Sequence, residues 1–399
     1  MPTDSPAADA RQLALLTWYG LLTYPFACVP FLYFYFAAQG IAFDRYLWLI
    51  ACYYWAMVLT EVPTGVLADR FGRRLCLAVG SFTLATGFLV LLLGRGLGVF
   101  CTGEALLGVG HAMLSGAPTA LLYDSLGGAQ RGRFLHAESR IHAMRLLGTG
   151  GSFLLGGVLA WQVGIPVTIG CTALLCATAG VLALALTEPP RHTAPGHPLL
   201  RGALRDLRRG PMLWLIGYFA LLFGLLRFAF HTYQPYLRDV LLGNTESIRW
   251  LWVGALFAAL NLVAAPCSRL APVLGRRVAT ERVLPWLPLV LCATFVAMGS
   301  VPGWLGAVLL FVHQVPFGLH WALVQDYVNA RVESPSRATA LSLLSMSGRV
   351  SFAAWLPLLG EYERGHGTPS TYALVGWVGL GLTALWCAPP ARLLVRPRD

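Results

Sequence analysis

Apolar runs of eighteen residues or more recur along the whole chain, separated by short polar interruptions. About twenty apolar residues in a helix reach across a hydrocarbon core of roughly 30 Å. The pattern predicts twelve helical spans, at 13–37, 44–68, 75–95, 98–125, 136–161, 164–187, 211–236, 247–271, 283–300, 303–329, 338–360 and 371–389. A membrane β-barrel would instead need segments of about ten residues with strict alternation. Such segments do not occur here. The first eleven residues are polar, and the apolar run after them is longer than that of a cleavable signal, so the first helix is expected to remain in the protein. The expected fold class is an all-α membrane protein.

Composition agrees. The chain is 57% hydrophobic and 12% charged, with a mean hydropathy of +0.64. Soluble domains carry about a quarter charged residues. The nine cysteines lie within apolar segments, without a CxxC pair or zinc-like Cys/His spacing. They read as small core residues, so neither disulfides, metal nor cofactor is expected.

The net charge of +11 is made entirely with arginine, 29 of them and no lysine. Their placement points away from nucleic acid. The loops on the side that holds both termini contain twenty-one arginines, whereas the opposite side has Arg45, Arg95, Arg238, Arg249 and Arg364. The positive-inside rule then puts both termini in the cytoplasm. Arginine-only usage and short loops without an N-x-[ST] acceptor suggest a bacterial inner membrane.

One loop, "EPPRHTAPGHPLLRGALRDLRRGP" at 188–211, is longer than the others. It divides the chain into an N-terminal six-helix bundle (1–187), a cytoplasmic linker (188–210) and a C-terminal six-helix bundle (211–399). The linker's "LLRGALRDLRRG" reads either as an amphipathic helix on anionic lipid or as a plain basic connector. The two halves repeat. Shifted by 203, "LTEVPTGVLADRFGRR" (59–74) matches "LVAAPCSRLAPVLGRR" (262–277) at seven of sixteen positions. A shift of 202 aligns His111 with His313 and Asp124 with Asp326. Two near-equal offsets predict a pair of pseudo-symmetric bundles.

The stretch Gly65-x-x-x-Asp69-Arg70-x-Gly72-Arg73-Arg74 resembles the loop 2–3 signature of the major facilitator superfamily. Twelve spans, the central loop and the degenerate copy at 268–277 resemble that family too. Glu61, Gly65 and Asp69 step by four and share one helix face. The resemblance implies a gating role for Gly65, Asp69, Arg70, Gly72, Arg73 and Arg74. In it Gly65 permits close helix approach, Asp69 meets the positive end of the eleventh span, and Arg73 pairs with Asp124. The second copy has Pro272 in place of Asp69. "GTGGSFLLGG" (148–157) keeps Gly156-Gly157 of an antiporter signature but has Ser152-Phe153 where that signature has Gly-Pro.

Charge inside a bilayer is costly and marks function by default. Span 4 carries Glu104 and His111, span 7 Arg227 and His231, and span 10 His313 and His320. In the family fold spans 1, 4, 7 and 10 line the cavity, so the resemblance places these groups on the transport path. Glu104, Gly108, His111 and Ser115 share a helix face. Glu104, His111 and, in reserve, Glu61 are the candidates for proton coupling. Arg145 and Arg349, at matching places in spans 5 and 11, read equally as anion ligands or as interhelix ion pairs. Tyr19 and Tyr24 are expected to line the cavity, with Arg227, His231, His313 and His320.

The function expected is secondary active transport, as proton-coupled export of drugs or amphipathic metabolites by a monomer in the lipid bilayer. An importer or lipid flippase is the alternative on the same scaffold, and a polytopic membrane enzyme the alternative from another class. No nucleotide-binding loop is present in the sequence.

Overall fold

The computed structural model describes residues 6–23, 26–125, 131–188, 210–238, 249–301, 303–332 and 337–387. Among them every regular element is helical. Nine helical stretches among the described residues are long and apolar enough to cross a membrane, two of them, Leu97–Ser125 and Thr280–Met298, each made of two consecutive helices. The chain divides into two compact units. Unit 1 is Met1–His192 with Thr245–Ala259, and unit 2 is Thr193–Asn244 with Leu260–Asp399.

Unit 1 opens with α1 (Pro6–Thr23), a 3₁₀ turn (Val29–Phe31) and α2 (Leu32–Ala38). Sequence reading expected one continuous span over 13–37. Instead Pro30, near the start of the 3₁₀ turn, lacks the N–H that an uninterrupted helix needs. Then come α3 (Phe43–Phe71), α4 (Arg73–Leu93), α5 (Leu97–Leu114), α6 (Ala117–Ser125), α7 (Arg131–Gln162) and α8 (Ile165–Leu184). The expected span 98–125 is likewise two helices. Gly116 takes φ 73° between them, and Pro118 follows in the first turn of α6. Ser115 therefore sits at the break, off the helix face it was expected to share with Glu104.

Helix α5 packs between α3 and α4, α4 also packs on α8, and α1 packs on α7 and α8. Glycines set the spacing. A Cβ on Gly108 would meet the Ala56 Cβ and the Met57 backbone nitrogen at 3.0 Å. Bilayer helices associate through such small-residue contacts, since apolar burial gives no net drive there.

Unit 2 contains α9 (Gly210–Tyr236), the latter part of α10 (Arg249–Arg277), α11 (Thr280–Val283), α12 (Trp286–Met298), α13 (Gly303–Asn329) and α14 (Arg337–Cys387). The boundaries of α13 coincide with the span expected from sequence. Arg337–Cys387 is two helical limbs that meet at a kink at Gly367, so the break expected between the spans 338–360 and 371–389 is present and only the length of the expected loop, 361–370, is corrected. Helical structure continues through that stretch, turning only at Gly367 with φ 77°. An Arg364–Glu361 ion pair and a Tyr362–His366 stack at 4.1 Å support helix at i,i+3 and i,i+4.

The limb of α14 before Gly367 packs on α9, where a Cβ at Gly348 would meet Phe223 at 2.8 Å. The limb after it is tied to α9 by reciprocal bonds. Trp214 Nε1 donates to the Trp386 carbonyl at 2.8 Å, and Trp386 Nε1 to the Trp214 carbonyl at 2.9 Å. Between α9 and both limbs lies an apolar crevice of about 490 Å³, walled by Gly217, Leu221, Trp355, Leu382 and Trp386 among others. Its lining residues are uncharged.

Candidate functional site

Four sets of polar groups stand out against the apolar packing. The first is at the junction of α3 and α4. Gly72 alone joins the two helices, buried and with φ 104° and ψ 150°, a conformation that side chains with a Cβ resist. This turn starts α4 at Arg73, whose guanidinium pairs with Asp124 of α6. The backbone N–H groups of Arg73 and Arg74 donate to the two oxygens of Glu188 at 2.9 and 2.7 Å. Glu188 thus satisfies two orphan donors at a helix N-terminus, where negative charge is favoured.

Gln12 extends this first set. Its Nε2 donates to the Thr187 carbonyl at 2.9 Å and to Ser125 Oγ at 3.3 Å. Its Oε1 accepts from the Thr187 N–H at 2.9 Å. The starts of α1 and α4, the end of α6 and residues 187–188 are held as one knot. Asp69 and Arg70, in the last turn of α3, are exposed, as is Gly65. A Cβ at Gly65 would meet nothing within 4 Å in this structure. Glu61, two turns before Asp69, is half-buried.

The second set surrounds Glu104. This carboxylate is 7% exposed and makes no hydrogen bond or ion pair among the described residues. Cys28, Tyr46 and Cys52 lie within electrostatic range of it. The side chain is thus held among α5, α3 and the start of the 3₁₀ turn. One turn on, Gly108 brings α5 against α3. His111 stands two turns from Glu104, its ring edge-on to Phe26 and Tyr53 at centroid distances of 5.5 Å. Its Nδ1 lies 2.9 Å from the Leu107 carbonyl. Gly108→Val is expected to cost about 1–3 kcal/mol through overpacking at α3 and to displace Glu104. A thermal unfolding curve of the detergent-solubilised protein that overlays the parent would refute this.

The third set lies in unit 2. His313 is 1% exposed. Its Nε2 is 2.6 Å from Thr294 Oγ1, and its Nδ1 is 3.3 Å from Tyr233 Oη. Gln314 Nε2 donates to that same hydroxyl at 3.2 Å. His313 is therefore a satisfied core residue, whereas His111, its counterpart in the repeat, is half-buried.

Arg227, His231 and His320 form a separate group, with Arg227 within electrostatic range of both imidazoles. The guanidinium lies over the Phe223 ring at 5.2 Å, and His231 stacks on Phe352 at 6.1 Å.

The other expected cavity residues are dispersed. Tyr19 is 1% exposed and shares a 2.9 Å hydrogen bond with Ser81, which makes it a tie between α1 and α4. Arg145 is half-buried, and a Cβ on Gly20 of α1 would lie 3.7 Å from its Nε. Arg349 is half-buried on α14, next to the Gly348 that abuts Phe223. Tyr24 lies outside the described residues. The repeat is visible in altered form, because Asp326 accepts from Thr280 Oγ1 at 2.6 Å where Asp124 holds an arginine. Near this place in unit 2 an ion pair is made instead by Arg331 and Glu281 at 2.6 Å.

Sequence reading missed Glu188 and Gln12. Glu188 was legible as an acid opening a basic loop. Its cap on α4, 114 residues distant, is set by tertiary structure.

Apolar membrane-length helices, a charged knot at one helix junction and a few buried ionisable groups define a multi-pass membrane protein of the transporter class. The family model of the Major Facilitator Superfamily matches residues 19–356. The chain belongs to that superfamily. No curated protein matches it at the sequence level.

Solved structures with the same fold include the nucleoside transporter NupG, with a TM-score of 0.76 at 12% identity, over 96% of this chain and 98% of that one. The D-xylose–proton symporter matches with a TM-score of 0.70 at 14% identity, over 93% and 96%. A bacterial homolog of the human lysosomal transporter Spinster matches with a TM-score of 0.70 at 16% identity, over 96% and 92%.

Proposed function

We propose that the protein is a proton-coupled exporter of drugs or amphipathic metabolites, working by alternating access between two six-helix halves (1–187 and 211–399) joined by a linker. The observation that carries the reading is Glu104, a carboxylate buried in a membrane span without a partner among the described residues. An ionisable group within a membrane span marks function by default, and a carboxyl group can bind and release a proton. A carrier needs that exchange, and His111 and Glu61 are the further groups through which the proton passes. The turn motif around Gly72, with Asp69, Arg73 and Asp124, supplies the conformational control. Both termini are assigned to the cytoplasm of a bacterial inner membrane, and the working unit to a monomer.

Symport into the cell is the second reading, favoured by the structural neighbour named a D-xylose–proton symporter. Both readings are separated by dye accumulation in cells with and without the protein. Export predicts lower accumulation in expressing cells, restored by a protonophore. Higher accumulation, lost with the protonophore, establishes import, and accumulation that ignores the protein sinks both.

A further inference from the structure

We propose that unit 2 contains an anion-binding subsite centred on Arg227, with His320 and His231, that takes the carboxylate or phosphate of a flat apolar substrate. The inference rests on the transport reading above and narrows its substrate class.

Arg227 lies deep within α9, roughly 25 Å of helix rise from Gly210 and roughly 14 Å from Tyr236. That depth is in the hydrocarbon zone, away from lipid headgroups. The side chain is half-buried and makes no hydrogen bond or ion pair among the described residues. The apolar spans of unit 2 offer it no acid. Between 210 and 238, 286 and 325, and 337 and 360, no Asp or Glu occurs. Glu281 is engaged by Arg331, Asp326 by Thr280 and Glu361 by Arg364. A guanidinium with five donors, no counter-ion among the described residues and this depth is a poor structural element. It is well suited to a ligand that brings its own negative charge.

The surroundings fit the same chemistry. His231 is one helical turn after Arg227, on the same face. Helix α13 packs on α9 and carries His320 within electrostatic range of Arg227; the His320 Nδ1–H donates to the Phe317 carbonyl at 2.7 Å. With that hydrogen committed, Nε2 accepts the hydrogen of a protonated acid or, when itself protonated, donates to the oxyanion. The walls are aromatic. Phe223 lies under Arg227, and its ring is 6.4 Å from that of Phe352. An oxyanion on a flat apolar body meets the guanidinium by paired N–H donors and the rings by stacking.

The test uses the full-length protein purified in detergent, with naphthoate, naphthyl phosphate and the neutral naphthamide as probes. Binding is measured by titration calorimetry, and flux of the same probes in proteoliposomes. The anions are expected to bind at least about tenfold tighter than the amide, about 1.4 kcal/mol. Arg227→Gln should remove that preference while amide binding stays. Arg227→Lys, which keeps the charge and loses the fork, should fall between.

Equal or undetectable binding of the three probes by the wild type overturns the subsite, as does an Arg227→Gln protein, folded by thermal unfolding, that still prefers the anions. The transport reading fails separately. Arg227-dependent anion binding without flux would remove transport and leave the subsite, whereas flux of the amide alone would do the reverse.

Discussion

Glu104→Gln is expected to lower pH-driven transport by about tenfold or more, within the range of a coupling free energy between two sites, while substrate exchange at equal pH persists. Glutamine keeps the size and polarity of the side chain and removes its titration. Glu104 is 7% exposed and has no partner among the described residues, so no ion pair is broken and the packing of α5 on α3 is retained. A variant that merely misfolded would lose both activities together. The split between gradient-driven flux and exchange is therefore diagnostic. Proteoliposomes with an imposed pH gradient measure the first, and counterflow of labelled substrate the second. If Glu104→Gln follows the gradient as the parent does, the proton travels elsewhere, and Glu61, half-buried on α3, is the next position.

The sequence made the helices and the location of charge legible, for a physical reason. A bilayer forces every backbone polar group into intrahelical bonds, so apolar length alone locates elements such as Gly303–Asn329. Where helices break within an apolar run, the cause is local chemistry that length counting overlooks, as with Gly116 and Pro118 after α5. The converse holds in α14, where charged residues at 361–364 read as a loop and yet extend the helix.

Among site residues, the family resemblance of the 65–74 stretch implied that Arg73 pairs with Asp124, the one acid at the end of span 4, and the two side chains do meet. Histidines were harder. His111 and His313 occupy equivalent places in the repeat, yet His313 is bonded to Thr294 and close to Tyr233. His111 instead lies between aromatic rings. The difference resides in neighbours such as Thr294 and Tyr233, to which the repeat offset of 202 gives no clue.

Asp69→Asn is expected to reduce transport by about one order of magnitude or more while insertion, expression and thermal stability stay near the parent. Asp69 is exposed at the end of α3, so its carboxylate carries little of unit 1's packing. Exposed charges contribute at most about 1 kcal/mol to folding. On the conformational role proposed for it, a contact of ~1–3 kcal/mol made in only one conformation shifts a two-state population about 5- to 150-fold. Asp124→Asn provides the contrast. Asp124 pairs with Arg73 beside the Glu188 cap, with the two side chains 27% and 32% exposed. Its loss should lower stability by about 1 kcal/mol after allowance for screening, and transport as well. Comparison of initial rates with unfolding midpoints for the two variants decides the matter. If Asp69→Asn transports at the parental rate, or loses stability as much as Asp124→Asn, then Asp69 is not a conformational switch and the turn serves only to anchor α3 to α4.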